Sequence, residues 1–334
     1  MNTASEVQLR EPIDPSTVSS EIQVPVPRLS DHVRLLRLDH SVKQLFVLPG
    51  IVVAVGLTDA PINGALALRA LLGLAAIVAV ASSNYVLNEL LDAPFDRMHP
   101  TKRLRPAARQ SIHFRLAYLQ WVICAAVGLL LAHMVSRPMF FSVLSLWIMG
   151  CIYNISPVRT KDVPYLDVLS ESINNPIRFC VGWYVVTATV LPPVSLLVAY
   201  WMLGGYFMAL KRFSEYRQIG GALAARYRKS FAFYTEAKLL NSVSFYAATS
   251  MLFFGAFIMR YRMEMVFAFP FIAMLMAVYF NLAFSIDSPV QNPEKLYREP
   301  RLMFLLAACV IVLVVMSFVD VPWLAQAFPK SGVH

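Results

Sequence analysis

Three short stretches of the 334-residue chain concentrate charged side chains beside long apolar runs. The first is NELLDAPFDRMHPTKRLRP, from Asn88 to Pro106. Asn88, Asp92 and Asp96 recur every fourth residue, which aligns them on one face of a helix, and Glu89 adds a carboxylate beside Asp92. Oxygen donors of this kind suit Mg2+, which usually binds through one or two carboxylates together with substrate phosphates. Lys102, Arg103 and Arg105 follow and are suited to neutralising phosphate. Pro94 lacks the N–H that a helix interior uses, so the helix is expected to bend or stop near Ala93 and to leave Asp96 on the outgoing loop.

The second stretch, YNISPVRTKDVPYLDVLSESINNPIR, runs from Tyr153 to Arg178. Steps of four, three and four residues separate Asp167, Glu171, Asn174 and Arg178, so all four project from one helix face within about 40°. Such a face is too polar for lipid and must look into a bundle or a wet cavity, with Arg159 and Lys161 at its mouth. The third stretch, ALKRFSEYRQIG, places Lys211, Arg212, Glu215 and Arg217 after an apolar span. Two readings stay open there: a phosphate clamp, or an i,i+4 pair of Lys211 with Glu215 among bases that anchor a helix end.

Other chemistries lack their patterns. His32, His40, His99, His113, His133 and His334 show no HExxH or paired spacing for zinc, and the glycines form neither GxGxxG nor GxxxxGK[ST]. Cys124, Cys151, Cys180 and Cys309 fall in apolar runs without CxxC spacing and read as small core residues.

The elements that must position these groups are membrane helices. With 58% hydrophobic and 15% charged residues, the chain is too apolar for an ordinary soluble domain. Apolar runs near 45–57, 65–87, 114–134, 139–155, 164–187, 191–210, 239–259, 265–284 and 302–319 predict about nine crossings at ~20 residues each. Residues 1–32 read as a flexible polar tail without a signal peptide's apolar core, 33–320 as one transmembrane catalytic domain, and 321–334 as a second tail. Bases crowd the connections that contain the three stretches, whereas the opposite connections hold only Arg137, Arg260 and Arg262. The positive-inside rule therefore predicts a cytoplasmic N-terminus and cytoplasmic chemistry. The net charge of +9 follows from this topology, and no nucleic-acid module accompanies it.

At these residues the chain resembles the UbiA superfamily of intramembrane prenyltransferases. The stretch from Asn88 to Asp96 is similar to its NDxxDxxxD loop after the second helix, and Asp167 to Glu171 to its acidic motif near the fifth. Asp96 to Pro106, the KRxxE segment Lys211 to Glu215, the late Pro293-Glu294-Lys295-Leu296 loop, and His40 with Lys43 resemble the decaprenyl-phosphate phosphoribosyltransferase branch. The resemblance implies an all-helical bundle of nine transmembrane helices around a central cavity in a bacterial inner membrane. It implies transfer of ribose 5-phosphate from phosphoribosyl diphosphate to a polyprenyl phosphate, with Mg2+, or Mn2+ in its place, as cofactor.

On that reading Asp92, Asp96, Asp167 and Lys161 are catalytic, and Glu89, Asp92, Asp96, Asp167 and Glu171 surround the metal. Lys43, Asn88, Lys102, Arg105, Tyr153, Arg159, Glu171, Asn174, Arg178, Lys211 and Arg212 bind substrates. The chain departs from the pattern at Glu89, where Asp is usual, at Pro94, and at Asn174-Asn175-Pro176, where smaller or apolar residues are expected. The alternatives are prenyl transfer from a prenyl diphosphate to an aromatic or other lipid-soluble acceptor, and a membrane transporter whose pathway the intramembrane charges would line.

Overall fold

Long runs of Leu, Val, Ala and Ile with few internal breakers become helices, and the breakers set where they end. The computed structural model describes residues 27–97, 102–220, 228–285, 288–291 and 293–328. Most of the expected N-terminal tail, His99 to Thr101 of the first basic stretch and the last six residues lie outside that set. So do the side chains of His40, Glu294 and Lys295. Helix α1 spans Leu29–Leu35, and a 3-10 stretch, Leu38–Val47, leads into α2, Leu48–Thr58. Then come α3 (Gly64–Asp96), α4 (Phe114–Val135), α5 (Arg137–Asn154), α6 (Leu166–Ser172), α7 (Asn174–Val186) and α8 (Val194–Ile219). The chain closes with α9 (Glu236–Tyr261), α10 (Phe269–Leu282), α11 (Pro300–Phe318) and α12 (Pro322–Ala327).

Among the described residues the protein is all-α. Six helical segments are long and apolar enough to cross a membrane: α3, α4, α8, α9, α11, and α10 with the 3-10 turn before it. Three of the expected crossings do not reach that standard. The segment around α2 is short, α5 carries Arg137, Ser142, Ser145 and Asn154, and the predicted span 164–187 is interrupted at Ile173. That interruption has a local cause. Pro176 has no N–H to give the Ser172 carbonyl, so α6 ends and α7 begins there.

Helix α3 corrects the expectation at Pro94. It starts on Asn63, whose side chain accepts the Leu66 N–H at 3.0 Å, and runs 33 residues through Pro94 to Asp96. Asp96 is thus the last helical residue and does not lie on a loop. Pro94 turns its ring to the exposed side, while Leu90 and Ala93 pack with Leu35, Val86, Ala107, Ile112 and Ala117. This apolar contact holds the final turn although the Leu90 carbonyl has lost its helical donor.

The main core gathers Phe179, Trp183, Phe213, Phe231 and Phe257 from α7, α8, the connection after α8, and α9. Helices α2 and α7 cross almost backbone to backbone. A Cβ at Gly50 would lie 2.1 Å from the Phe179 carbonyl oxygen, and one at Gly182 would lie 2.0 Å from that of Val47. Glycine at both positions lets the Leu38–Val47 segment reach the polar start of α7.

Candidate active site

Asp167 is the most enclosed charge among the described residues. It lies at the start of α6 with 0% exposure, just after Tyr165, whose φ of 63° redirects the chain out of the Lys161–Pro164 turn. The Tyr165 N–H donates to the Tyr234 hydroxyl at 2.6 Å, and that hydroxyl donates to Asp167 Oδ1 at 2.6 Å. Arg212 Nε donates to Oδ2 at 3.1 Å, Ser230 Oγ stands 3.4 Å away, and Arg228 forms a looser ion pair at 3.6 Å. A buried carboxylate persists only with such a set of donors.

Arg212, on α8 and 3% exposed, is the hub of the site. Its three nitrogens serve three carboxylates: Nε donates to Asp167, Nη2 to Glu171 at 2.8 Å and Nη1 to Glu215 at 3.0 Å. Glu171 also accepts from the Tyr153 hydroxyl at 3.1 Å, and Tyr153 in turn accepts from Arg228 at 3.0 Å. Of the two readings left open for the third stretch, the structure shows Arg212 turned inward onto the acids. Arg217 at the helix end pairs with Glu236 at 3.7 Å.

The second half of the site centres on Asp92. Its Oδ1 accepts from both Lys161 and Arg159, the latter at 3.1 Å. Lys161 Nζ also donates to Asn154 Oδ1 at 2.9 Å, the oxygen to which Asn88 donates at 2.6 Å. The two halves meet where Arg228 Nε donates to the Lys161 carbonyl at 3.2 Å. Burial pushes the Lys161 ammonium below the ordinary lysine range, while Asp92 pulls it back up. Lys102, in the loop after α3, is lowered for the same reason, with Glu215 opposing. Lys43 and Lys211 both act on Glu171 through space.

The first stretch is divided. Asp92 joins the network, but Asp96 pairs with Arg105 at 2.6 Å and Glu89 with Arg37 at 3.2 Å. Glu89 is 2% exposed and also accepts the Ala107 N–H at 3.3 Å. Among the described residues no three acids, histidines or cysteines gather as a ready-made metal cluster. Asn174 opens α7 after the break at Ile173, and Arg178, on the same helix, donates to Gln44. Glu89→Gln is expected to weaken the fold by about 1–3 kcal/mol, because it leaves Arg37 half-buried without its counter-charge. Turnover at a permissive temperature should fall less than tenfold, and thermal unfolding in detergent alongside an activity assay separates the two effects.

Arg37, Gln44, Asn154, Arg228, Ser230 and Tyr234 join the site without a sequence pattern that marks them for it. Arg228 was legible only as one of many bases on a loop. Tyr234 carried no local signal, since its partner Asp167 is 67 residues away.

The described residues form a helical bundle with six helices long and apolar enough to cross a membrane, in which buried acids are interleaved with arginine and lysine. The profile of the UbiA prenyltransferase family matches residues 45–308, and the chain belongs to that family. It is 26% identical over 232 residues to a decaprenyl-phosphate phosphoribosyltransferase of Mycolicibacterium smegmatis, covering 68% of this chain and 71% of the other. It is 32% identical over 141 residues to the nodulation protein NoeC of Azorhizobium caulinodans, where it spans 44% of that relative's length and 42% of its own. The fold is shared with a UbiA homologue from Archaeoglobus fulgidus bound to GPP and Mg2+, with a TM-score of 0.63 and 20% identity, covering 86% of this chain and 100% of that one. A UbiA homologue from Aeropyrum pernix K1 aligns with a TM-score of 0.53 and 15% identity over 82% of this chain and 95% of that one.

Proposed function

We propose that this chain transfers ribose 5-phosphate from phosphoribosyl diphosphate to a polyprenyl phosphate, releasing diphosphate, with Mg2+ as cofactor. The observation that carries the reading is the surplus of cations around the acids. Arg159, Lys161, Arg212 and Arg228 are ion-paired with Asp92, Asp162, Asp167, Glu171 and Glu215, and outside those pairs Lys43, Lys102, Arg178 and Lys211 act on the same acids through space, so that bases outnumber acids around them. The phosphoribosyl reaction must seat a diphosphate, a sugar phosphate and a lipid phosphate, whereas prenyl transfer to a neutral acceptor must seat one diphosphate. The similarity to the mycobacterial phosphoribosyltransferase supports the same choice.

The donor set fits a hard divalent cation. Asp92 uses Oδ1 for both of its cations and Glu171 uses Oε2 for Arg212 and Tyr153, so each has a second oxygen that accepts no hydrogen bond among the described residues. Their side chains keep 20% and 31% of their surface accessible. Two or three carboxylates with substrate oxygens complete an Mg2+ shell without a preformed protein cluster. Asp92 from α3 and Glu171 from α6 would hold the metal, while Asp167, Asp96 and Glu89 keep their own cations in place around it. Bound Mg2+ supplies neutralisation of the diphosphate as it leaves.

The protein's own share is positioning. Arg159 and Lys161 are placed to take diphosphate oxygens from Asp92, and Arg105 and Lys102 to follow from the loop beyond α3. The acceptor phosphate oxygen attacks the anomeric carbon as the carbon–oxygen bond to diphosphate breaks. That acceptor is already anionic, so the site needs orientation and charge screening and no strong base. The topology that fits this chemistry has nine crossings, with α2, α5 and the α6–α7 pair completing the six long ones. The N-terminus and the site then face the cytoplasm of a bacterial inner membrane.

Purified protein in detergent is expected to convert phosphoribosyl diphosphate and a polyprenyl phosphate with Mg2+ and to stop when the metal is chelated. Prenyl diphosphate with aromatic acceptors should be offered in parallel, because solved relatives bind GPP and DMAPP. Product in that second reaction alone would overturn the assignment, and uptake into sealed liposomes without conversion would replace it with transport.

A further inference from the structure

Arg178 is the buried cation that the network does not neutralise. It lies on α7 with 9% exposure, donates from Nε to Gln44 Oε1 at 2.9 Å, and reaches Asn175 Oδ1 from Nη1 at 3.5 Å. Both partners are uncharged. Arg159, Lys161, Arg212 and Arg228 each have a carboxylate within ion-pair distance, whereas among the described residues Arg178 has none. The carboxylate that acts on it through space is Glu171, which is already held by Arg212 at 2.8 Å and by Tyr153 at 3.1 Å.

A guanidinium taken out of water without a counter-ion is costly, and a protein that keeps one has a use for an anion beside it. Gln44 and Asn175 fix the plane of the group while offering no charge, and Lys43 lies on the same 3-10 segment, one residue before Gln44. The close crossing of α2 and α7 holds that segment against Arg178. Arg178 makes no contact with Asp92, Arg159 or Lys161, so it belongs to a different subsite from the diphosphate set.

We propose that Arg178, oriented by Gln44 and Asn175 and assisted by Lys43, is a second anion subsite that takes a phosphomonoester. Two sources supply that chemistry: the 5-phosphate of the donor and the phosphate of the lipid acceptor. A planar fork beside an ammonium matches a phosphate dianion in both shape and charge. The proposal rests on the phosphoribosyl reading, since prenyl transfer to a neutral acceptor brings no phosphomonoester to the site.

The test titrates ribose 5-phosphate and geranyl phosphate separately into the full-length protein in detergent, with ribose and geraniol as controls and calorimetry as the readout. Arg178→Gln is expected to weaken one of the two phosphates by roughly 10- to 100-fold and to leave inorganic diphosphate with Mg2+ unaffected. The ligand that weakens identifies the source. Arg178→Lys should restore part of the affinity, and Gln44→Leu, which keeps the charge and removes its orientation, should lose several-fold. Those two variants carry the test if Arg178→Gln does not fold. Equal binding of both phosphates to the variants and the wild type would overturn the subsite. If binding depends on Arg178 but no phosphoribosyl transfer occurs, the subsite stands and the proposed reaction falls. If Arg178→Gln transfers phosphoribose with wild-type KM values, the reaction stands and the subsite falls.

Discussion

Arg212→Gln is expected to reduce kcat/KM by on the order of 10³-fold and to destabilise the bundle by about 3–5 kcal/mol. Both effects have one cause. Arg212 serves Asp167, Glu171 and Glu215 at once from a position 3% exposed. Glutamine leaves three carboxylates facing one another without their shared cation, and they must spread, take up protons or admit other cations. Arg212→Lys keeps the charge but offers a point donor on a flexible stem, which cannot reach three acceptors in the guanidinium geometry. It should recover part of the stability and little of the turnover. Thermal unfolding in detergent and steady-state kinetics below the variant's midpoint separate the two losses. Wild-type kcat/KM in Arg212→Gln would remove the hub from the mechanism.

Asp92→Asn is expected to behave differently from Asp167→Asn although both lose one carboxylate. Asp92 is partly accessible, and its partners Arg159 and Lys161 have Asp162 and Asn154 to fall back on. The fold should therefore change by less than about 1 kcal/mol, while turnover falls by on the order of 10²- to 10³-fold and the Mg2+ needed for half-maximal rate rises. Asp167 has no exposed surface, and its two oxygens accept from Tyr234, Arg212 and Ser230. An amide there turns one acceptor into a donor that faces other donors, so stability should fall by several kcal/mol along with activity. Equal unfolding midpoints for the two variants would contradict the burial that separates them, and full activity in both would end the metal reading.

The spacing of the acids was legible from residue order alone, because helical periodicity decides which side chains share a face. Asp167 and Glu171 do share one, and Asp92 does face Arg159 and Lys161. Periodicity does not say which base closes each acid. Glu89 belongs to Arg37, 52 residues earlier, and Asp167 to Arg212, 45 residues later. At Pro94 the local rule predicts a break, whereas packing at Leu90 and Ala93 outweighs one lost hydrogen bond and the helix continues to Asp96. Hydropathy reads 164–187 as one span, while Pro176 and the polar groups around it divide it at Ile173. Tyr234 and Ser230 sit after a connection whose bases all looked alike, and only the turn back to α6 distinguishes them.

The break at Ile173 also bears on how the chain is made. Helices α6 and α7 bring Asp167, Glu171 and Arg178 toward the bilayer within a dozen residues, and each such charge at mid-membrane costs about 2.5–3.5 kcal/mol during insertion. The arginine that neutralises the two acids follows Asp167 by 45 residues and leaves the ribosome later. Until α8 has been synthesised, this pair of half-helices must shelter against α3 and α5 or wait at the interface. Biogenesis is therefore expected to turn on α8, whose arrival brings Arg212 to Asp167 and Glu171 and holds the acidic segment in place.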